Sequence, residues 1–507
     1  MSSPFKRIGV LGAGAMGRGI VQLYSQAGFE VVLHDAQAAA MEAAIKYLQQ
    51  TFDKLVEKGR MTDDARQQAL ARVTCADSMQ GFSDCDLIIE AIIERIEVKR
   101  EVFCTLESVV SSEAILVSNT SSLSITAIAA ACERPSLIAG YHFFNPVPLM
   151  KVVEVVRAPR TDDAVVERLV ALTRAVGHTP VVCQDTPGFI VNHAGRGFGT
   201  ESLKALGEGV ADVPTIDRIL REQVDFGGMG FKLGPFELMD LTGLDVSHLV
   251  MESIYHQYYE EPRFRPSVIG AQRVSAGLFG RKTREGFYRY DGSPAPSESG
   301  APVAPTGLRV WVAPGAQQQA VRELVAGLGA SLDDADQPLS DSLIVVTPLG
   351  LDATSAAQGL DAARVIALDT LFPFGLRACK RRVLMSTPAT SSETRKAAHG
   401  LFAADGAKVS LLRDSSGFIA QRVIAMIVSV ATEIAQQRIA SPEDIDSAVR
   451  IGLGYPVGPL TMGDMIGPAR ILEVLNGMHR SSDDPRYRAG PWLRRRAQLG
   501  LSLLQED

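Results

Sequence analysis

The apolar run Arg7-Ile-Gly-Val-Leu11 passes directly into Gly12-Ala-Gly14-Ala-Met16-Gly17 and then into a helical stretch ending near Gln26. Three glycines at that spacing, after a strand and before a helix, leave few folds open. The first permits a tight turn, the second lets the backbone approach a pyrophosphate, and the third lets the helix pack against the strand. A second apolar run, Glu30–Leu33, ends in His34-Asp35, so the beginning of the chain reads as a βαβ unit and requires a parallel sheet. Asp35 lies 21 residues beyond Gly14. A carboxylate there accepts hydrogen bonds from an adenosine ribose and repels a 2′-phosphate, which favours NAD over NADP.

Further buried strands are expected at Leu87–Glu90, Leu116–Ser118, Ile138–His142 and Val152–Val156, with two helices projecting over about residues 37–72 around a break at Gly59–Thr62. From Thr186 the pattern changes to helical segments punctuated by Gly and Pro, ending near Tyr290, and residues 293–305 have the Pro, Ser, Gly and Ala composition of a linker. Strands return at Leu308–Val312, Ser342–Val346, Val365–Leu368 and Arg382–Met385. The last segment then repeats the first helical region. Asp185-Thr-Pro-Gly-Phe-Ile190 reappears as Asp414-Ser-Ser-Gly-Phe-Ile419 and Ile216-Asp217 as Ile445-Asp446, both at an offset of 229, and the Gly-Pro turn at 234–235 reappears at 458–459.

The expected architecture is therefore an α/β N-terminal Rossmann-type domain (1–186), an all-α domain (187–292), a linker (293–306), a reduced Rossmann-like α/β domain (307–411) and a second all-α domain (412–507). At 507 residues and 46% hydrophobic content the chain has material for several cores. Its net charge of −7 carries no basic block, which argues against nucleic acid or an anionic membrane as the main partner. The longest strongly apolar stretch, 423–431, falls short of a bilayer span. The six cysteines are scattered without a C-x-x-C pair or metal-like spacing, and the N-terminus lacks the pattern of a secretory signal, so a cytoplasmic location with no metal is expected.

A second constellation is Tyr141-His142-Phe-Phe-Asn145-Pro146-Val-Pro-Leu-Met-Lys151-Val-Val-Glu154. His142 ends one strand, two prolines force a loop, and Glu154 lies in the next strand. A hairpin-like return places imidazole and carboxylate side by side, the arrangement of a general base oriented by an acid.

Together with Ser118-Asn-Thr-Ser121-Ser and Asp185-Thr-Pro-Gly-Phe-Ile-Val-Asn192, these motifs resemble those that mark the L-3-hydroxyacyl-CoA dehydrogenase family, over residues 5–290. The remainder resembles a bacterial subgroup with a duplicated C-terminal domain, the 3-hydroxyadipyl-CoA and 3-hydroxybutyryl-CoA dehydrogenases of phenylacetate catabolism and β-oxidation. The resemblance implies that His142 takes the proton from a substrate 3-hydroxyl while hydride passes to nicotinamide, and that Glu154 holds the imidazole. It further implies that Ser121 and Asn192 bond the reacting oxygen, that Glu94 and Lys99 contact the cofactor ribose and its neighbours, and that Asn145 fixes the nicotinamide side or the hairpin. Acyl-CoA is then the substrate. Lys46, Lys54, Lys58 and Arg60, on or just after the projecting helices, are candidates to face its phosphates, Lys54 among the substrate-binding set. Structural readings compete at several positions: Asn145 in a hairpin and Lys99 on a helix need no ligand, and Ser121 also suits a helix cap.

The second half lacks these features. Arg309-Val-Trp-Val-Ala-Pro-Gly315 carries one glycine where a dinucleotide turn has three, no His-Phe-Phe-Asn-Pro segment recurs, and Gln421 stands where Asn192 stands in the first copy. One active site is expected, with the two helical copies packed as an internal pseudo-dimer and a homo-oligomer also open. Two other readings remain: a dehydrogenase of a free hydroxy acid or sugar acid, and a non-catalytic NAD-binding protein.

Overall fold

The computed structural model describes residues 5–292, 298, 300–376 and 379–506. The expected linker thus lies partly outside the described residues, at 293–297 and 299. The chain packs as two compact units, residues 1–193 with 437–453, and residues 194–436 with 454–507. Packing therefore divides it differently from the motif pattern, because a short piece of the second helical copy goes with the first sheet.

The first unit is built on β1 (Arg7–Leu11), β2 (Glu30–His34), β3 (Val73–Cys75), β4 (Leu87–Glu90), β5 (Ile115–Ser118), β6 (Ile138–Phe143), β7 (Val152–Arg157) and β8 (Thr179–Gln184). They form one sheet in the order β3-β2-β1-β4-β5-β6-β7-β8. Neighbours are parallel except β6 and β7, whose antiparallel pairing sets His142 directly opposite Glu154. The strands between β3 and β8 are buried on both faces, as helix-covered parallel sheets require, and Ile8, Val10, Leu33, Leu87, Ile89, Val117 and Val153 fill one core with Leu48 and Phe52 of the helix Ala38–Glu57. The short edge strand β3 and the strand β8 have little apolar alternation and escaped the sequence pattern.

The second unit contains β9 (Arg309–Val312), β10 (Ser331–Leu332), β11 (Leu343–Val346), β12 (Val365–Leu368), β13 (Arg381–Ser386) and β14 (Lys408–Leu412), in the order β10-β9-β11-β12-β13-β14. The single antiparallel pair here is β12 with β13, so the sheet repeats the topology of the first with fewer strands. In the same unit the helices Arg196–Gly207 and Ile419–Gln436 cross closely: a Cβ on Gly197 would stand 2.8 Å from the backbone nitrogen of Ile427. At that crossing the fully buried Glu201 accepts from Arg422 Nε (2.8 Å), Arg486 Nη1 (3.2 Å) and the Tyr487 hydroxyl (2.8 Å). Helix Ile419–Gln436 is long and apolar enough to cross a membrane, yet 89% of its apolar window is buried inside the fold, where it is the central helix of this unit.

Candidate active site

The site grows from the carboxyl ends of β1, β4, β5 and β6, where a parallel sheet leaves its crevice. Gly12 has φ +107°, and a Cβ there would lie 2.5 Å from the Ala91 carbonyl oxygen, so glycine is obligatory in this turn. Around Gly14 a Cβ would meet nothing within 4 Å, whereas on Gly17 it would lie 1.8 Å from the Gly12 carbonyl oxygen. The second glycine thus faces open space and the third lets the helix Ala15–Gln26 seat on the turn. That helix starts at Gly14 with no side chain capping it, which leaves its first amides for an anion. Met16, half-buried, packs against the sheet core.

Asp35 follows β2 and accepts from the amides of Ala13 (2.8 Å) and Gln37 (2.9 Å). Each carboxylate oxygen keeps a second lone pair, and the residue opens onto a cavity of about 430 Å³ lined also by His34, Ala36, Met41, Ser78 and Met79. A ribose acceptor beside a mixed apolar wall, next to an uncapped helix start, fits the adenosine half of a dinucleotide.

Behind the Ser118–Ser122 loop lies an ion-pair network that sequence reasoning found only in part. Lys99 is 1% exposed, and its ammonium sits 2.5 Å from Glu90 Oε1 and 3.3 Å from Glu94 Oε2. Glu90 ends β4, fully buried, and also accepts from the Ser118 hydroxyl (2.6 Å) and the Ile92 amide (2.7 Å). Glu94 in turn accepts from the Thr120 hydroxyl (2.5 Å) and the Ser121 amide (3.1 Å). Lys99 is therefore held beneath the loop, and Glu94 shapes the segment that carries Ser121. Glu90 was legible only as a charge ending an apolar strand, a residue that must find a cation when buried. The cap of the following helix is Ser124, whose hydroxyl accepts from the Ala127 amide, so Ser121 is not used for capping.

His142 Nδ1 lies 2.5 Å from Glu154 Oε2, both side chains being buried. The other oxygen of Glu154 accepts from the amides of Ile190 (2.9 Å) and Val191 (2.8 Å). Val191 opens the short helix Val191–Ala194 that carries Asn192, so one carboxylate anchors the imidazole and the start of that helix together. Asn119 Oδ1 accepts from the Phe143 amide (2.9 Å), which ties the Ser118–Ser122 loop to the end of β6. Phe144 and Phe189 flank the imidazole with ring centroids at 4.4 and 6.0 Å. Asn145 is exposed at the tip of the hairpin, in a cis peptide with Pro146. Tyr141 points to the opposite face of the strand, where burial pushes its phenol up to about 12.

Because Nδ1 faces a carboxylate, it carries the proton, and Nε2 is the lone pair left to act on substrate. An imidazole with a fixed carboxylate behind it, in a sheet whose glycine turn suits a dinucleotide, is equipment that can oxidise an alcohol.

Residues 7–186 match the NAD-binding domain of 3-hydroxyacyl-CoA dehydrogenase, and residues 188–290 and 417–503 its C-terminal domain. The chain belongs to the 3-hydroxyacyl-CoA dehydrogenase family. It is an NAD-dependent oxidoreductase. The chain is 35% identical to the 3-hydroxyadipyl-CoA dehydrogenase of Escherichia coli K12, over 97% of each. It is 41% identical to a probable 3-hydroxybutyryl-CoA dehydrogenase of Deinococcus radiodurans, which aligns in full with 56% of this chain. Among solved structures, a 3-hydroxybutyryl-CoA dehydrogenase from Escherichia coli K12 superposes with a TM-score of 0.85 at 32% identity over 98% of both chains. Relatives thus occur at about the length of this chain and at little more than half of it.

Lys46, Lys54, Lys58 and Arg60 are all exposed on or just beyond the helix Ala38–Glu57. Among the described residues no group of three or more His, Cys, Asp or Glu side chains is arranged to hold a metal ion.

In the second sheet the position of His142 is taken by Asp369. It stands four residues before Pro373, as His142 stands four before Pro146, and its amide donates to Val383 across the antiparallel pair. Asp369 accepts from Gln421 Nε2 (2.9 Å) and Gln223 Nε2 (2.8 Å), and burial raises its carboxyl above the usual range. Gln421 Oε1 also accepts from the Gly350 amide (2.8 Å). A side-chain network of Asp369, Gln223 and Gln421 occupies the place where the first sheet keeps His142.

Proposed function

We propose that this enzyme oxidises (3S)-3-hydroxyacyl-CoA thioesters to 3-oxoacyl-CoA, with 3-hydroxyadipyl-CoA and 3-hydroxybutyryl-CoA as the leading substrates. The observation that carries the chemistry is the His142–Glu154 pair, with Nε2 left free by the 2.5 Å contact at Nδ1. In this reading Nε2 removes the proton of the 3-hydroxyl, and Glu154, held by two amides, stabilises the imidazolium that results. The Ser121 hydroxyl and the Asn192 amide donate to the oxygen as it becomes a carbonyl. Bound NAD supplies the hydride acceptor. Gly12, Gly14, Gly17 and Asp35 hold the cofactor. Glu94, set by Lys99 and Glu90, faces its ribose. Asn145 acts from the hairpin.

The full-length relative named for 3-hydroxyadipyl-CoA supports a dicarboxylic substrate, and a place in phenylacetate breakdown or β-oxidation goes with it. The exposed cations around Lys54 suit the phosphates of coenzyme A. Six cysteines without a disulfide suit the cytoplasm. The packing of the helix Ile419–Gln436 on Arg196–Gly207 supports an internal pseudo-dimer.

The test compares kcat/KM for 3-hydroxybutyryl-, 3-hydroxyhexanoyl- and 3-hydroxyadipyl-CoA with that for the free acids. The thioesters are expected to exceed the acids by at least about 100-fold, since remote binding energy is used at the reacting carbon. The adipyl thioester should exceed the hexanoyl one, which differs only in the terminal carboxylate. Turnover of free acids at thioester rates overturns the reading.

The ribose assignment has its own check. Asp35→Ala removes both an acceptor and a charge that opposes a 2′-phosphate, so the ratio of NAD to NADP efficiency should fall about tenfold or more. An unchanged ratio removes Asp35 from the ribose.

A further inference from the structure

The helix Pro442–Gly452 comes from the second helical copy but belongs to the compact unit of the first sheet. The Gln184 amide donates to the Ile439 carbonyl at 2.8 Å, the Val182 amide lies 3.4 Å from Asp444 Oδ2, and Ile445, Ala448 and Val449 are fully buried. The helix thus covers the β7–β8 edge. At its last residue, a Cβ on Gly452 would stand 3.0 Å from one methyl of Val191, 3.1 Å from the other and 3.5 Å from Val152. Val191 gives its amide to Glu154, and Val152 precedes Glu154 by two residues on the same face of β7.

The duplication supplies an internal comparison. The counterpart helix of the first copy, Val213–Glu222, packs in the second unit, where Glu222 pairs with Arg381 at the start of β13. At the same offset of 229 that relates Ile216 to Ile445, the counterpart of Gly452 is Gln223. Its side chain reaches Asp369, the residue at the position of His142 in that sheet. One copy therefore fills its partner sheet's site with a glutamine, and the other ends in a glycine beside the working pair.

The geometry points to Gly452 as a positioning residue of the active site: the second copy docks this helix on the catalytic sheet, and the missing side chain leaves Val191 and Val152 where they hold Glu154 against His142. This rests on the reading of His142 and Glu154 as the catalytic pair. The second half of the chain is then required for turnover, through residues 437–453, although it carries no reacting group. A Cβ at 452 presses on the Val191 methyls by a few tenths of an ångström, and a longer side chain presses further, through those side chains, on the strand and helix that orient the carboxylate. A displacement of about 1 Å at such a site costs on the order of 100-fold in rate.

The experiment uses the full-length chain, with kcat and KM for 3-hydroxybutyryl-CoA and NADH affinity by fluorescence. Gly452→Gln should lose about 100-fold in kcat and keep NADH affinity, because the glycine turn at 12–17 lies at the other side of the sheet's switch point. Adding Val191→Ala, which keeps the amide and removes the opposed methyls, should restore at least about tenfold of that loss. Gly452→Ala, the mildest insertion, should lose about threefold, and it decides the matter if the glutamine variant does not fold. Wild-type kcat in both Gly452 variants overturns the inference, as does a loss that Val191→Ala leaves untouched. His142→Ala measured alongside separates the two readings: if it is inactive while Gly452→Gln is fully active, only the positioning role fails, and if it is active, the catalytic reading fails first.

Discussion

Replacing His142 by Ala should lower kcat about 1,000-fold while leaving NADH affinity within about twofold of wild type, since general base catalysis contributes 10²- to 10⁴-fold. In free energy that is about 4 kcal/mol of transition-state stabilisation. The separation of effects follows from the architecture. The imidazole hangs from the end of β6 with its Nδ1 given to Glu154, whereas the proposed dinucleotide grip is the β1 turn with Asp35. Truncation to Ala also frees one oxygen of Glu154, but the other remains fixed by Ile190 and Val191, so the site keeps its frame. Steady-state kinetics with a 3-hydroxyacyl-CoA and NADH fluorescence titration together read both quantities. A kcat within tenfold of wild type sinks the assignment of His142 as base.

Glu201→Leu should be the most damaging single change to the second unit, costing about 3–5 kcal/mol. Glu201 is fully buried at the crossing of the two helical copies and compensates two guanidiniums, those of Arg422 and Arg486, as well as the Tyr487 hydroxyl. Removing the carboxylate leaves the Arg422 charge balanced by Glu208 and leaves the buried Arg486 guanidinium bonded to the neutral carbonyls of Pro262 and Arg265. Restoring a buried charge balance is what the pair needs, so the double change of Glu201→Leu with Arg486→Met should recover part of the loss. Thermal unfolding followed by calorimetry measures it. If the single variant melts within 2 °C of the wild type, taking about 2–4 °C per kcal/mol for a large domain, the network contributes little to stability.

The local sequence determined a good part of this protein. A glycine turn is dictated by φ and by close backbone approach, both of which act within a few residues, and the structure shows the positive φ at Gly12, open space at Gly14 and close helix packing at Gly17. The His142–Glu154 pair was equally legible, because a hairpin closed by prolines fixes register, and register alone sets two residues opposite each other. The duplication could be read from preserved order and spacing.

Only the tertiary structure decided the rest. The Glu90–Lys99–Glu94 network joins a strand end, a helix and a loop, and no local rule says which cation a buried carboxylate will find. The strands β3, β8, β10 and β14 are held by their neighbours in the sheet, since pairing and burial outweigh weak intrinsic preference. The departure of residues 437–453 to the first sheet, and with it the role of Gly452, depends on which helix surface meets which sheet edge. That choice is made by shape and buried area between segments as far apart in the chain as Val182 and Asp444, 262 residues, a scale on which sequence periodicity carries no information.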